Sequence, residues 1–222
     1  MDFLKILRSF EEFIFEAATW LIFYPMTMWR IVRDPLTTMA YSDRQQTEPE
    51  TRRYDDALSP PLVLLITIVL GNMLTLAFHI PEPHGTTVLA DAVTRSPETL
   101  ALFRSLVFSL VPLVSAASLL HRKGVKISRD TLRAPFYAQC YLAAPSSAFV
   151  SAGGIFLQRP DLPSPVGASV ILAGTLWFLA VQTGWFRRQL QASWLNAAWT
   201  AVRAMACALA CLLVVVVPVA LF

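Results

Sequence analysis

The sequence predicts an all-α membrane protein: five transmembrane helices preceded by an amphipathic interfacial helix. Three observations carry that expectation. Of 222 residues, 55% are hydrophobic and only 15% are charged, with a mean hydropathy of +0.54; soluble domains average about 25% charged. Five apolar segments each approach the ~20 residues that a bilayer core requires. The basic residues are unevenly shared between the two sets of loops those segments define.

The N-terminal segment, residues 1–35, is the interfacial element. Phe3, Ile6, Leu7, Phe10, Phe13, Ile14, Ala17 and Leu21 fall on one helical stripe, and Asp2, Lys5, Arg8, Glu11, Glu12 and Glu16 fall off it. That is the 3.6-residue period of an amphipathic helix, too charged to span and suited to the interface plane. The same charges break any continuous apolar core of a signal peptide, so the segment is expected to be retained. Trp20, Tyr24 and Trp29 are placed as headgroup-level aromatics. Pro25 is expected to break or kink the helix, and Asp34-Pro35 to end it.

Residues 36–57, beginning "LTTMAYSDRQQTEPETRRYDD", are polar and read as a cytoplasmic linker, partly ordered at best. The transmembrane domain, 58–222, follows, with spans expected at about 59–80, 99–120, 134–157, 166–185 and 200–222. The start of the first span is "RRYDDALSPP". Pro60 and Pro61 suit a first helical turn, where a missing N–H is no loss. Ser59 is a plausible N-cap, and Asp55 and Asp56 are expected near the positive end of the helix dipole.

Charge sets the orientation. Residues 1–57 hold seven Lys or Arg, the 121–133 loop holds five, and Arg187, Arg188 and Arg203 add three; the opposite side holds only Arg95, Arg104 and Arg159. Fifteen against three is a strong positive-inside bias, which puts the N-terminus in the cytoplasm and the C-terminal end outside. A net charge of +3 is too small to imply nucleic acid.

All fifteen carboxylates fall outside mid-membrane depth, which counts against proton coupling through a buried acid. His79, Glu82 and His84 lie together in "HIPEPH", without helical spacing or a fourth ligand. Cys140, Cys207 and Cys211 all lie in apolar segments, where no disulfide framework is expected. Cys207 and Cys211 are four apart, but no histidine or carboxylate accompanies them. No metal site and no cofactor is predicted. No GxSxG, HExxH, Walker A or dinucleotide fingerprint occurs.

The third span, "APFYAQCYLAAPSSAFVSAGGIFL", is small, polar and proline-containing. Pro145 removes a backbone hydrogen bond and is expected to kink the helix, which neighbours must compensate. Ala144, Ala148 and Ala152 form one small-residue row, and Ala197, Ala201, Ala204 and Ala208 form another in the fifth span. Spans three and five are therefore expected to pack closely. A polar cleft is expected beside Pro145, with Gln139, Tyr141, Ser146, Ser147 and Asn72 as its candidate residues. Arg122, Lys123 and Lys126 are candidate contacts for anionic headgroups.

Three stretches together resemble bacterial Yip1-domain proteins: "FYPMTMWRIVRDP", then "YDDALSPPLVLL" with Asp56, Pro60 and Pro61, then "CYLAAP" with Tyr141 and Pro145. Cys140 stands where that family has glycine, and Ser59-Pro60-Pro61 replaces its glycine-proline turn. The resemblance implies a five-span, loosely permease-like protein of the bacterial inner membrane without an assigned reaction. The leading expectation is a non-enzymatic binding subunit or scaffold, partnered by membrane lipids and by other membrane-protein subunits or further copies of itself. A small-solute or lipid permease is the alternative. A headgroup enzyme using Asp55 and Asp56 is the third.

Overall fold

A computed structural model describes residues 2–49, 52–80, 96–159 and 161–221. Among them are seven helices and no strand: α1 (Asp2–Arg33), α2 (Pro35–Gln45), α3 (Pro60–Ala77), α4 (Pro97–Arg122), α5 (Arg129–Gln158), α6 (Ser164–Leu190) and α7 (Trp194–Leu221). The last five are long and apolar enough to cross a membrane, and the amphipathic α1 precedes them. The chain is a multi-pass membrane protein.

Local chemistry explains the helix boundaries. Pro35 disfavours helix at Asp34, and Asp34 turns that break into a cap: its Oδ1 accepts from the Thr37 N–H at 3.3 Å. The Thr38 hydroxyl donates to the Asp34 carbonyl at 2.8 Å and lies 3.2 Å from the Arg30 carbonyl, binding the end of α1 to the start of α2. Ser128 and Thr131 form a reciprocal capping box at the start of α5. Gly124, at φ +67°, closes α4 in a left-handed turn that glycine adopts without strain. Ser59 holds the N-cap position of α3, but its side chain makes no capping bond; Pro60 and Pro61 occupy the first turn, where no N–H is needed.

Two expectations about the N-terminal third change. Pro25 lies inside α1, which continues past it to Arg33. The segment expected as a partly ordered linker instead carries α2, which buries Thr38, Met39 and Ser42 and packs on α5 and α6. Its polarity is that of a helix docked at a protein surface rather than a loop.

α5 is the hub. It packs against α1, α2, α3, α4 and α6, and residues Ala138–Pro145 are buried without interruption. It runs through both Pro135 and Pro145 as one helix. Two buried clusters share it. One joins Leu119, Leu142, Phe178, Trp185 and Phe186 with the α7 alanines; the other joins Ile31, Val63, Leu64, Ile68 and Tyr141.

Apolar chains gain little by leaving lipid for one another, so close van der Waals packing holds membrane helices together. Here glycine supplies it. A β-carbon on Gly167 would lie 2.6 Å from the Leu157 nitrogen and 2.7 Å from the Gly153 oxygen, so α5 and α6 touch backbone to backbone. Gly71 of α3 likewise sits against Ser151, where a β-carbon would meet Oγ at 2.8 Å.

The expected pairing of spans three and five does not form. α7 packs on α4 and α6. Its alanine row is buried there, at 0–2% exposure for Ala197, Ala201, Ala204 and Ala208. Ala148, the middle of the expected α5 row, is exposed. Two small-residue rows are compatible with contact, but each found a different neighbour.

Candidate functional site

All five tyrosines lie between positions 24 and 141, and the fold gathers four of them where α1, α2, the 52–59 loop and α5 meet. Tyr54 is central, with its ring 6.1 to 6.5 Å from those of Tyr41, Tyr137 and Tyr141. It adopts φ +61°, which is uncommon for a bulky residue. Its neighbours hold it there. Its N–H donates to Gln45 Oε1 at 2.8 Å, Gln46 Nε2 donates to its hydroxyl at 2.8 Å, and Ser42 Oγ lies 3.2 Å away. Burial raises the Tyr54 hydroxyl above its ordinary pKa, so it stays protonated. The fifth, Tyr24, reaches Thr67 Oγ1 of α3 at 3.1 Å.

Asp56 belongs to this junction. Tyr41 Oη donates to one of its carboxylate oxygens, and Arg30 Nη1 donates to the other at 3.1 Å. Arg30 also lies over the Tyr41 ring, 5.9 Å from its centroid. The Tyr41 hydrogen bond, then Arg30, hold the Asp56 carboxyl below the usual carboxylate range. Asp56 therefore ties α1 and α2 to the start of α3. Asp55 lines a cavity of about 260 Å³ with Glu16, Arg53, Tyr54 and Ser59.

Tyr141 is fully buried, and its hydroxyl donates to the Leu58 carbonyl at 2.7 Å. The Leu58 N–H donates to Thr27 Oγ1 at 3.2 Å. Tyr141 thus locks the turn before α3 onto α5 and α1. The remaining α5 candidates are placed differently. Pro145 and Ser147 are buried, and Ser146 is half-buried. The two serines bond back to their own helix, at the Leu142 and Ala144 carbonyls. Gln139 is fully buried, and neither atom of its amide has a protein partner; Gln182 of α6 is in the same position. The expected cleft beside Pro145 is therefore a packed interior.

Asn72 lies elsewhere, in a cavity of about 190 Å³ between α3, α4 and α5. There Arg104 Nη1 donates to Asn72 Oδ1, with Thr75, Ser151 and Gln158 also lining the space. An arginine near a helix end meets an amide from the next helix instead of snorkelling alone.

The other end of the bundle collects basic residues. Lys123 Nζ donates to Gln189 Oε1, and Gln189 Nε2 donates to Asp43 Oδ2 at 3.0 Å, joining α4, α6 and α2. Burial pushes the Asp43 carboxyl up to about 6, against the opposing pull of Lys123. Lys123, a headgroup candidate in sequence, is thus engaged with protein. Arg122 and Lys126 are exposed, and Arg122 lines a groove with α7. The Arg187 guanidinium sits 4.3 Å from the Trp194 ring centroid.

Of the metal candidates, Glu82 and His84 lie outside the described residues. No group of three His, Cys, Asp or Glu is placed to hold a metal among the described ones. Cys207 and Cys211 are exposed on α7, and Cys140 is buried; all three are free.

Sequence reading missed Arg30, Tyr41, Tyr54 and Tyr137 at the junction, and Asp43 and Gln189 at the basic end. The clustering of every tyrosine in the first two-thirds of the chain was the available signal. Comparison with protein-family models, with curated proteins and with solved structures finds no match for this chain.

Proposed function

We propose that this protein is a non-enzymatic binding subunit of the bacterial inner membrane, whose cytoplasmic α1 and outer helix faces receive another membrane-protein subunit or a further copy of the chain. The observation that carries this reading is the division of α1. Its C-terminal half buries Thr27 and Ile31 and packs Phe23, Tyr24 and Met28 against the bundle. Further toward the N-terminus, Phe10, Phe13, Ile14 and Phe15 are 51–72% exposed. A helix this apolar needs a cover, and exposed apolar patches of this kind mark interaction sites.

Other features support the same reading. The positive-inside count favours a cytoplasmic α1. The resemblance of three stretches to Yip1-domain proteins fits a five-span membrane protein with no assigned reaction. Asp56 is committed to Tyr41 and Arg30, which suits a structural tie better than acid–base work. The Asn72–Arg104 cavity draws its lining from one half of α3, α4 and α5, which suits a permease path poorly.

A photo-crosslinking residue at Phe15, activated in native membranes, tests the proposal. The expected result is one protein adduct of fixed mass, identified as a partner or a second copy. Exclusive labelling of lipid would overturn it.

A further inference from the structure

We infer that the groove between α4 and α7 at the basic end is a binding site for an anionic phospholipid, with Arg122 and Arg203 holding its phosphodiester. The inference rests on α4 and α7 spanning a bilayer and is independent of the partner proposed above.

Arg203 is the only charged residue of α7 between Trp194 and Leu221. It sits nine residues into the helix, about 14 Å along the axis at 1.5 Å per residue, and one turn beyond the exposed Trp199. A long arginine side chain there can reach the headgroup level, where anionic lipid attracts it. Arg203 is exposed on the helix surface, and no hydrogen bond or ion pair to a described residue engages it or Arg122.

The fold brings the two arginines together. They line one cavity of about 340 Å³, with His121 and Thr200 toward the same end. Among the described residues its lining contains no carboxylate. Below them, Ala117, Ala204 and Cys207 form an apolar floor running along both helices. Basic groups beside an apolar floor match the amphipathic build of a phospholipid near its headgroup. Two guanidinium groups suit a phosphodiester because each presents a planar fork of donors. The neighbouring α4–α5 cavity is also basic but is lined by Asp130, and Arg133 there lies over the Tyr137 ring. The α4–α7 groove is the better anion site.

The test is native mass spectrometry of the full chain in detergent, supplied with phosphatidylglycerol or phosphatidylcholine. Wild type should retain phosphatidylglycerol at least about tenfold better. Arg203→Gln and Arg122→Gln should each cut that retention about fivefold, whereas Arg188→Gln, an exposed arginine on α6, should not. Millimolar inorganic phosphate should leave retention unchanged; full competition would mean that a free anion is the ligand and would overturn the lipid assignment. Equal retention of the two lipids would also overturn it. A second measurement keeps the native arginines. In a Cys211→Ala background, maleimide labelling of Cys207 should be about fivefold slower in phosphatidylglycerol than in phosphatidylcholine micelles, and equal rates count against the site.

Discussion

The α5 hub and the N-terminal half of α1 are both rich in apolar residues, yet they solve opposite problems. Along α5, neighbouring helices approach to backbone contact at Gly153 and Gly167, and a buried tyrosine bonds to a loop carbonyl. Along α1, Phe10, Phe13 and Phe15 stay 59–72% exposed. Apolar content does not tell the two apart. What distinguishes α5 is small residues at the contact and a buried tyrosine with a fixed partner, features that compete with lipid for a helix face.

The comparison breaks first at the glycine seam. Gly167→Ala drives a β-carbon into the backbone of α5, where nothing flexible can yield. It should cost about 3 kcal/mol, the upper part of the usual overpacking range, and lower the thermal midpoint in detergent sharply. A matching substitution on the exposed face of α1, Phe15→Ser, should leave that midpoint nearly unchanged. If both shift it equally, the two regions are not different in kind.

Tyr141→Phe should have the next largest effect. It removes one buried hydrogen bond and leaves the Leu58 carbonyl without that partner. The expected cost is about 1–2 kcal/mol. Chemical denaturation in mixed micelles, with far-UV circular dichroism as the readout, would measure it. A cost indistinguishable from zero would mean that the 58–60 turn is held by Thr27 and the α3 packing alone.

The last effect concerns Asp43 and depends on pH. Its carboxyl is raised to about 6 in the folded chain from an ordinary value of 3.8. The folded state therefore binds the proton more tightly than the unfolded state does. The sign follows from linkage: this group's contribution is present in full below pH about 4 and is lost as pH rises through about 6. Thermal midpoints measured from pH 4 to 8 should fall across that window. Asp43→Asn, which can still accept from Gln189, should flatten the slope. An unchanged slope in the variant would assign the pH dependence to another group.

The sequence was most legible where structure is local. Apolar runs of about bilayer length mark α3 to α7, and Asp34-Pro35 marks the end of α1 through contacts within one turn. The α2 helix was harder to see, because its polar composition suits either a loop or a docked helix, and only Met39 and its neighbours entering the core decide between them. The candidate site was legible only in pieces. Tyr141 and Asp56 are singled out by composition and resemblance, but their partners at Leu58, Tyr41 and Arg30 are 83, 15 and 26 positions away.

By itself, the sequence determined that this chain is an all-helical, multi-pass membrane protein with an amphipathic helix in front. Length, hydropathy and caps are local properties, and the bilayer enforces helix wherever backbone groups leave water. Only the tertiary structure decided which small-residue row meets which helix. α7 turned its alanines to α4 and α6, while α5 took glycine contacts with α3 and α6. Neighbour choice depends on the fit of whole surfaces, and rows of similar spacing look alike until they are packed. The same holds for Arg203: the sequence shows a lone cation in an apolar helix, and the fold puts Arg122 on the lining of the same groove.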